Sequence, residues 1–240
     1  MRKFFTDAEI NDLASSLRQS YEKLTHQESN WCLDVVDMME KLFQLKVKYA
    51  SFAEDDMGKV GFLSDGVTPL WIYEKGVRKA RVYPEDTVVI DSFLLRAERT
   101  AELNNVLGHE FGHKLMPIQA PGLAKACYKA LMDSERNAGI EELREKLNLA
   151  EIYADKFSAA LFMPRYLLDR ALKKYNNGNY LTLYGNYMLE DEDKIKLQKM
   201  ADRLGVRYED LFNRFKSLKM FNKKPAEDFT DNILDLGVTM

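Results

Sequence analysis

The sequence predicts an α+β fold: helices at both ends of the chain and a short mixed sheet between them. Three observations carry that expectation. Apolar residues recur at helical spacing up to Leu45, the period drops to two between Leu45 and Phe93, and helical spacing returns from Leu94 onward. At 240 residues, the chain can bury a real hydrophobic core without covalent staples.

In chain order, "FTDAEINDLASSLRQSYEKL" opens with Thr6 and Glu9 at capping-box spacing and continues as a helix. The polar break "THQESN" holds His26, read as a solvated or capping residue. "WCLDVVDMMEKLFQL" is a second helix. "LKVKYASF" alternates as a strand does. "GKVGFL" and "PLWIYEKGVRKARVY" are strands around a turn at Lys75-Gly76, and "TVVIDSF" is a β-branched strand. Arg78, Lys79 and Arg81 form the solvated side of that hairpin. A long helix is expected from about Leu94 to Pro117, whose missing N–H can stop it. "PIQAPG" is a loop, and "LAKACYKALMD" and "IEELREKL" are two short helices. Asn148 starts the strongly helical "NLAEIYADKFSAALFMP", ended by Pro164. The remainder is mostly helical, with a Tyr/Asn-rich loop around "NNGNYLTLYGNYM" and a polar tail from Asn222. The expected divisions are an N-terminal helix (1–27), a core (28–170), a C-terminal helical segment (171–221) and the tail (222–240).

The net charge of -3 argues against direct nucleic-acid binding, which calls for clustered basic excess. No stretch reaches the ~18–20 uninterrupted apolar residues of a membrane helix. The N-terminus turns polar too early for a signal peptide. Cys32 and Cys127 lie far apart in helical patterns and read as buried thiols. A cytoplasmic location is the expectation.

The chemistry centres on "NNVLGHEFGHKLM". On a helix His109 and His113 share a face one turn apart, so two imidazoles can meet at one point. Glu110 can then stand beside a metal-activated water as general base. Gly108 and Gly112 flank the histidines. Each costs about 1 kcal/mol relative to alanine inside a helix, which makes sense where a strand or ligand approaches closely. Candidates for a third ligand are Glu135, Glu141, Glu142, Glu145 and Glu151. The charge-rich run "SERNAGIEELREK" reads as surface, whereas Glu151 opens an apolar helix and completes a two-His, one-Glu set. Asp155, one turn on, is placed to accept an N–H from a ligating histidine.

"LGHEFGHKL" followed by "EIYADKFSAALFMP" resembles the ImmA/IrrE family of metallopeptidases, small gluzincins with the pattern HExxH and then E-x-x-A-(D/N)-x-F-A-A-x-L-L-M-P. The likeness extends over about Trp31 to Met220. It implies a minimal zincin-like domain with Zn2+ held by His109, His113 and Glu151, Glu110 as general base and Asp155 in support. It also implies hydrolysis of a specific intracellular protein such as a DNA-binding repressor. An extended peptide would pair with an edge strand, placed at Val88 to Phe93. Tyr175, Tyr180, Tyr184 and Tyr187 are candidate oxyanion donors, with packing their commoner use. "ADRLGV…LFNRF" reads as packing and not as a DNA-binding helix-turn-helix. The chain departs from the pattern at Tyr153, where a second Glu is common, and in its lead-in "ELNNVL". The alternative reading is a non-catalytic regulator that uses the metal pocket to bind a partner or sense a signal.

Overall fold

The structure, a computed structural model, describes residues 5–27, 30–55, 58–119 and 140–229. The expected helix "LAKACYKALMD", with Cys127, and the candidate Glu135 lie outside the described residues, as does the tail beyond 229. The described part is α+β, with seven α-helices and a small mixed sheet.

Helix α1 (Asp7–Thr25) starts at Thr6, whose side chain and that of Glu9 form the expected capping box. It ends at His26, which adopts a left-handed conformation (φ 56°) and donates its backbone N–H to the Glu22 and Lys23 carbonyls. His26 is therefore a capping residue. Helix α2 (Val35–Phe43) is capped by the Asp34 side chain. It starts later than the apolar spacing suggests, so Cys32 lies in the turn before it, exposed and not buried.

Five strands follow: β1 (Lys46–Phe52), β2 (Gly61–Leu63), β3 (Pro69–Glu74), β4 (Val77–Val82) and β5 (Thr87–Asp91). They form one sheet in the order β2-β5-β1-β3-β4, parallel at β1–β5 and antiparallel elsewhere. Lys75 and Gly76 turn the β3–β4 hairpin with positive φ at both positions (52° and 77°), as a two-residue hairpin turn requires. The β-branched run is not an edge: β5 lies between β1 and β2. Val88, Val89 and Ile90 are fully buried, and apolar residues on both faces mark an interior strand. The edges are β2 and β4.

The next helix also departs from expectation. Two 3-10 turns, Ser92–Leu95 and Ala97–Arg99, separated by extended Arg96, precede α3 (Thr100–Gln119). Asp91 fixes the first turn by accepting the Phe93 N–H. Pro117 does not stop α3, which continues two residues further. In the last turn a proline removes only one intrahelical bond. "IEELREKL" and "NLAEIYADKFSAALF" form a single helix, α4 (Ile140–Phe162), with no glycine or proline to separate them. α1 packs along α4. From α1 the guanidinium of buried Arg18 donates to the Leu161 and Phe162 carbonyls at 3.2 Å, to the Trp31 carbonyl at 3.0 Å and to Glu22 at 2.6 Å. It thereby satisfies the last carbonyls of α4, which have no intrahelical partner.

The chain divides into two compact units. One runs up to Pro164 and includes Leu204–Val206; the other comprises 165–203 and the residues from 207. The second holds α5 (Arg165–Tyr175), β6 (Leu181–Tyr184), most of α6 (Asp191–Leu204), α7 (Tyr208–Ser217) and β7 (Phe221–Lys224). β6 and β7 pair in parallel, where the sequence predicts loop and tail. Four residues are too few for a periodic signal. Leu211, Phe212 and Phe215 of α7 are buried, so this helix packs, as expected. No described helix is long and apolar enough to cross a membrane.

Candidate metal centre

The centre lies where α3 meets α4. Gly108 and Gly112 of α3 face Ser158 and Ala154 of α4, and the fit leaves no room for side chains. A Cβ on Gly112 would stand 2.8 Å from the Ala154 Cα, and one on Gly108 would stand 2.5 Å from the Ser158 Oγ. The close neighbour of these glycines is thus a helix, not the strand or ligand that the sequence suggests. The strand approaches through its own glycine. A Cβ on Gly61 of β2 would lie 2.5 Å from the Glu110 Oε1. Sequence reasoning missed Gly61, although a glycine in a short strand signals close backbone approach.

This packing brings His109, His113 and Glu151 together. Their donor atoms all lie within 4.8 Å of one another. The two histidine Nε2 atoms are 2.9 Å apart, His109 Nε2 is 3.1 Å from Glu151 Oε2, and His113 Nε2 is 3.3 Å from Glu151 Oε1. Tetrahedral ligands at zinc bond lengths of ~2.0–2.1 Å stand roughly 3.3–3.4 Å apart. The three donors match that spacing to within a few tenths of an ångström, and two imidazoles with one carboxylate suit zinc. The side chains of Glu141, Glu142 and Glu145 lie outside the described residues.

Asp155 takes the other nitrogen of His109, at 2.8 Å from Nδ1. With Nδ1–H donated to Asp155, a neutral His109 directs its Nε2 lone pair toward the point it shares with the His113 and Glu151 donors. Without a cation the same carboxylates hold a proton instead. Burial alone would pull His109 down, but hydrogen bonds to Asp155 and Glu151 outweigh it and push its pKa up to about 10. In return, hydrogen bonds from His109 and His113 hold Glu151 well below the usual carboxylate range.

Glu110 sits differently. It is buried and accepts no hydrogen bond among the described residues. Burial pushes its pKa up, against the opposing charges of His113, His109 and Lys59. A buried carboxylate of raised basicity beside a cluster that could hold a metal ion is equipped to accept a proton. Sequence reasoning also missed Lys59, which carries no motif of its own. It lies two residues before Gly61, pairs with Glu54 at 3.3 Å and has its ammonium 5.1 Å from the centre of the Phe62 ring.

Two sequence-derived expectations change. Val88 to Phe93 cannot offer a free edge, because β5 is paired on both sides; the edge beside Glu110 is β2. Among the tyrosines, the Tyr184 hydroxyl donates to Glu190 at 2.6 Å, and the Tyr180 hydroxyl accepts from Arg165 at 2.6 Å. Both hydroxyls are engaged within their own unit. No known protein family and no curated protein matches this chain.

Proposed function

We propose that the protein is a cytoplasmic zinc-dependent metallopeptidase of the gluzincin type, similar to the ImmA/IrrE family, that cleaves a specific intracellular protein. The observation that supports this reading is the meeting of His109, His113 and Glu151 with buried Glu110 adjoining them. His109, His113 and Glu151 would hold the ion, and Asp155 would keep His109 in the ligating tautomer. Bound there, zinc would supply Lewis-acid polarisation of the scissile carbonyl and a water with a pKa of about 7. Glu110 then takes the proton of the attacking water and delivers it to the departing amine. Its raised pKa suits the first of these steps, since burial makes the carboxylate a better proton acceptor. β2 has one side on β5 and the other open among the described residues, so an extended peptide can add to it by main-chain hydrogen bonds. Gly61 keeps that strand close to Glu110. The substrate class, a regulatory protein such as a transcriptional repressor, rests on the resemblance alone.

Metal analysis and proteomics test this together. Purified wild type is expected to hold one zinc per chain and His109→Ala none. Glu110→Gln is expected to keep the zinc and to lose about 10²–10⁴-fold in cleavage, read as new N-termini when wild type and variant are incubated with a cell extract. Metal-free wild type would end the zinc reading. Equal cleavage by Glu110→Gln would end the peptidase reading.

A further inference from the structure

The net charge of -3 conceals an uneven distribution. Residues 165–229 hold fourteen Lys and Arg against ten Asp and Glu, a balance of +4, which leaves -7 for the rest of the chain. Within that region, Leu211 to Pro225 contains five basic residues and no acidic one. Arg214 is buried in the packing of α7. The other four, Lys216, Lys219, Lys223 and Lys224, form no ion pair among the described residues. The cations of the β3–β4 hairpin behave otherwise: Lys79 and Arg81 pair with Glu74, and Arg78 pairs with Asp55.

Backbone geometry sets Lys216 and Lys224 at one turn; Lys219 lies between them in the chain, and Lys223, next to Lys224 on β7, leaves the other face of that strand. Lys223 and Lys224 lie on β7 in register with Leu183 and Tyr184 of β6. The Gly185 N–H donates to the Lys224 carbonyl at 2.9 Å, and Lys216 Nζ donates to the Asn186 carbonyl at 3.2 Å. Lys216 Nζ also stands 4.3 Å from the centre of the Tyr187 ring, and Lys224 Nζ 5.4 Å from that of Tyr184. Lys219 is exposed in the left-handed turn between α7 and β7. The nearby carboxylates are Glu190, engaged by the Tyr184 hydroxyl, Asp193, engaged by the Thr182 N–H and by Lys196, and Asp228, whose charge also reaches Tyr184. Tyr187 is 76% exposed, the most exposed of the large apolar side chains described.

We propose that Lys216, Lys219, Lys223, Lys224 and Tyr187 form a binding surface for single-stranded nucleic acid. Uncompensated ammonium groups neutralise successive phosphates and release their counterions. An exposed aromatic ring beside them gives an unstacked base a face to lie on. A duplex keeps its bases stacked and would use the lysines alone. Tyr187 therefore favours the single strand. This surface lies wholly within the second unit and does not depend on the metal centre.

The test is fluorescence anisotropy of the full chain with a labelled oligothymidylate of about 12 nucleotides, within the ~4–16-nucleotide range of known single-strand sites. Binding is expected at about 50 mM salt, weaker at about 200 mM. Lys223→Glu combined with Lys224→Glu should weaken it more than tenfold and lower the log–log salt slope by about 0.7 for each phosphate that is no longer neutralised. Tyr187→Ala should weaken it roughly five- to hundredfold, with Tyr187→Phe close to wild type. His109→Ala should bind as wild type does, which separates this surface from the metal centre. No salt-dependent binding by the wild type overturns the proposal. So does equal binding by Tyr187→Ala, equal competition by a blunt duplex, or capture by phosphatidylserine vesicles without capture of the oligonucleotide.

Discussion

Two regions of this protein join basic side chains to a glutamate, and they do so in opposite ways. Where α1 meets α4, Arg18 and Glu22 pair at 2.6 Å with side chains 1% and 6% exposed. On the β3–β4 hairpin, Glu74 reaches Lys79 at 2.9 Å and Arg81 at 3.4 Å, and all three side chains are about half exposed. The distances differ by less than an ångström, yet the consequences differ greatly. A desolvated pair must be completed on every side, and Arg18 is completed by three backbone carbonyls. An exposed pair gains little, since water and salt screen it and each partner can be hydrated instead. Burial, not proximity, decides which pair the fold depends on.

The largest way to sharpen that contrast is Arg18→Ala. It removes the buried ion-pair partner of Glu22 and uncaps α4, so unfolding free energy should fall by about 3–5 kcal/mol, read from the denaturant midpoint. A loss as small as that of a surface pair would break the comparison. Next comes the glycine seam. Gly112→Ala gains about 1 kcal/mol of helix propensity. It also drives a methyl against the Ala154 backbone, an overpacking cost of roughly 1–3 kcal/mol. Gly108→Ala meets the side chains of Ser158 and Phe162, which are buried but can shift without moving the α4 backbone. Gly112→Ala should thus be the more damaging to both melting temperature and zinc affinity, and the reverse order would show that α4 yields more easily than a side chain does.

A smaller effect follows from the proton on His109. With a folded pKa of about 10 against an unfolded value near ~6.5, its contribution is complete below about pH 6.5 and disappears as pH rises through about 10. Chelated protein should lose stability over that window. Zinc must displace the same proton, so zinc affinity should rise with pH by up to about tenfold per unit there, with about one proton released per ion. Calorimetry in buffers of different ionisation enthalpy measures that release. Last, Glu74→Gln should leave the melting temperature unchanged within error, because both of its partners are free to be hydrated.

Much of this is readable in the residues, where the determinants are local. Thr6 and Glu9 announce the start of α1 three residues apart, and Lys75-Gly76 announces the hairpin. His109, Glu110 and His113 share a helix face by spacing alone, and Glu151 and Asp155 stand out because they open an apolar helical run. What escapes depends on the meeting of distant segments. Arg18 looks like any polar residue of an amphipathic helix until the end of α4 is laid against it. The place of β5 in the sheet depends on which strands flank it, although three successive buried β-branched residues carry a hint. Pro117 and the 3-10 turns before α3 show the limit at helix ends, where one capping bond from Asp91 outweighs periodicity. The lysine cluster escapes because a whole-chain charge averages over two units of opposite sign.

The glycine seam also bears on how α3 and α4 find their alignment. Helices usually index against one another by ridges of side chains that fall into grooves. Gly108 and Gly112 against Ala154 and Ser158 bring the two helix backbones close together, and beside them Phe111 of α3 meets Phe157 of α4 edge-on, with ring centres 5.7 Å apart. Axial registration is held in addition by polar cross-links between the helices: Ser158 Oγ to the Asn105 carbonyl at 3.2 Å, Asp155 to His109, and Glu151 to both histidines. Three of these four links end on the histidines that would hold the ion. A proton on His109, or a cation in its place, would tie these links together, and its removal is expected to loosen the alignment of α3 and α4 before it unwinds either helix.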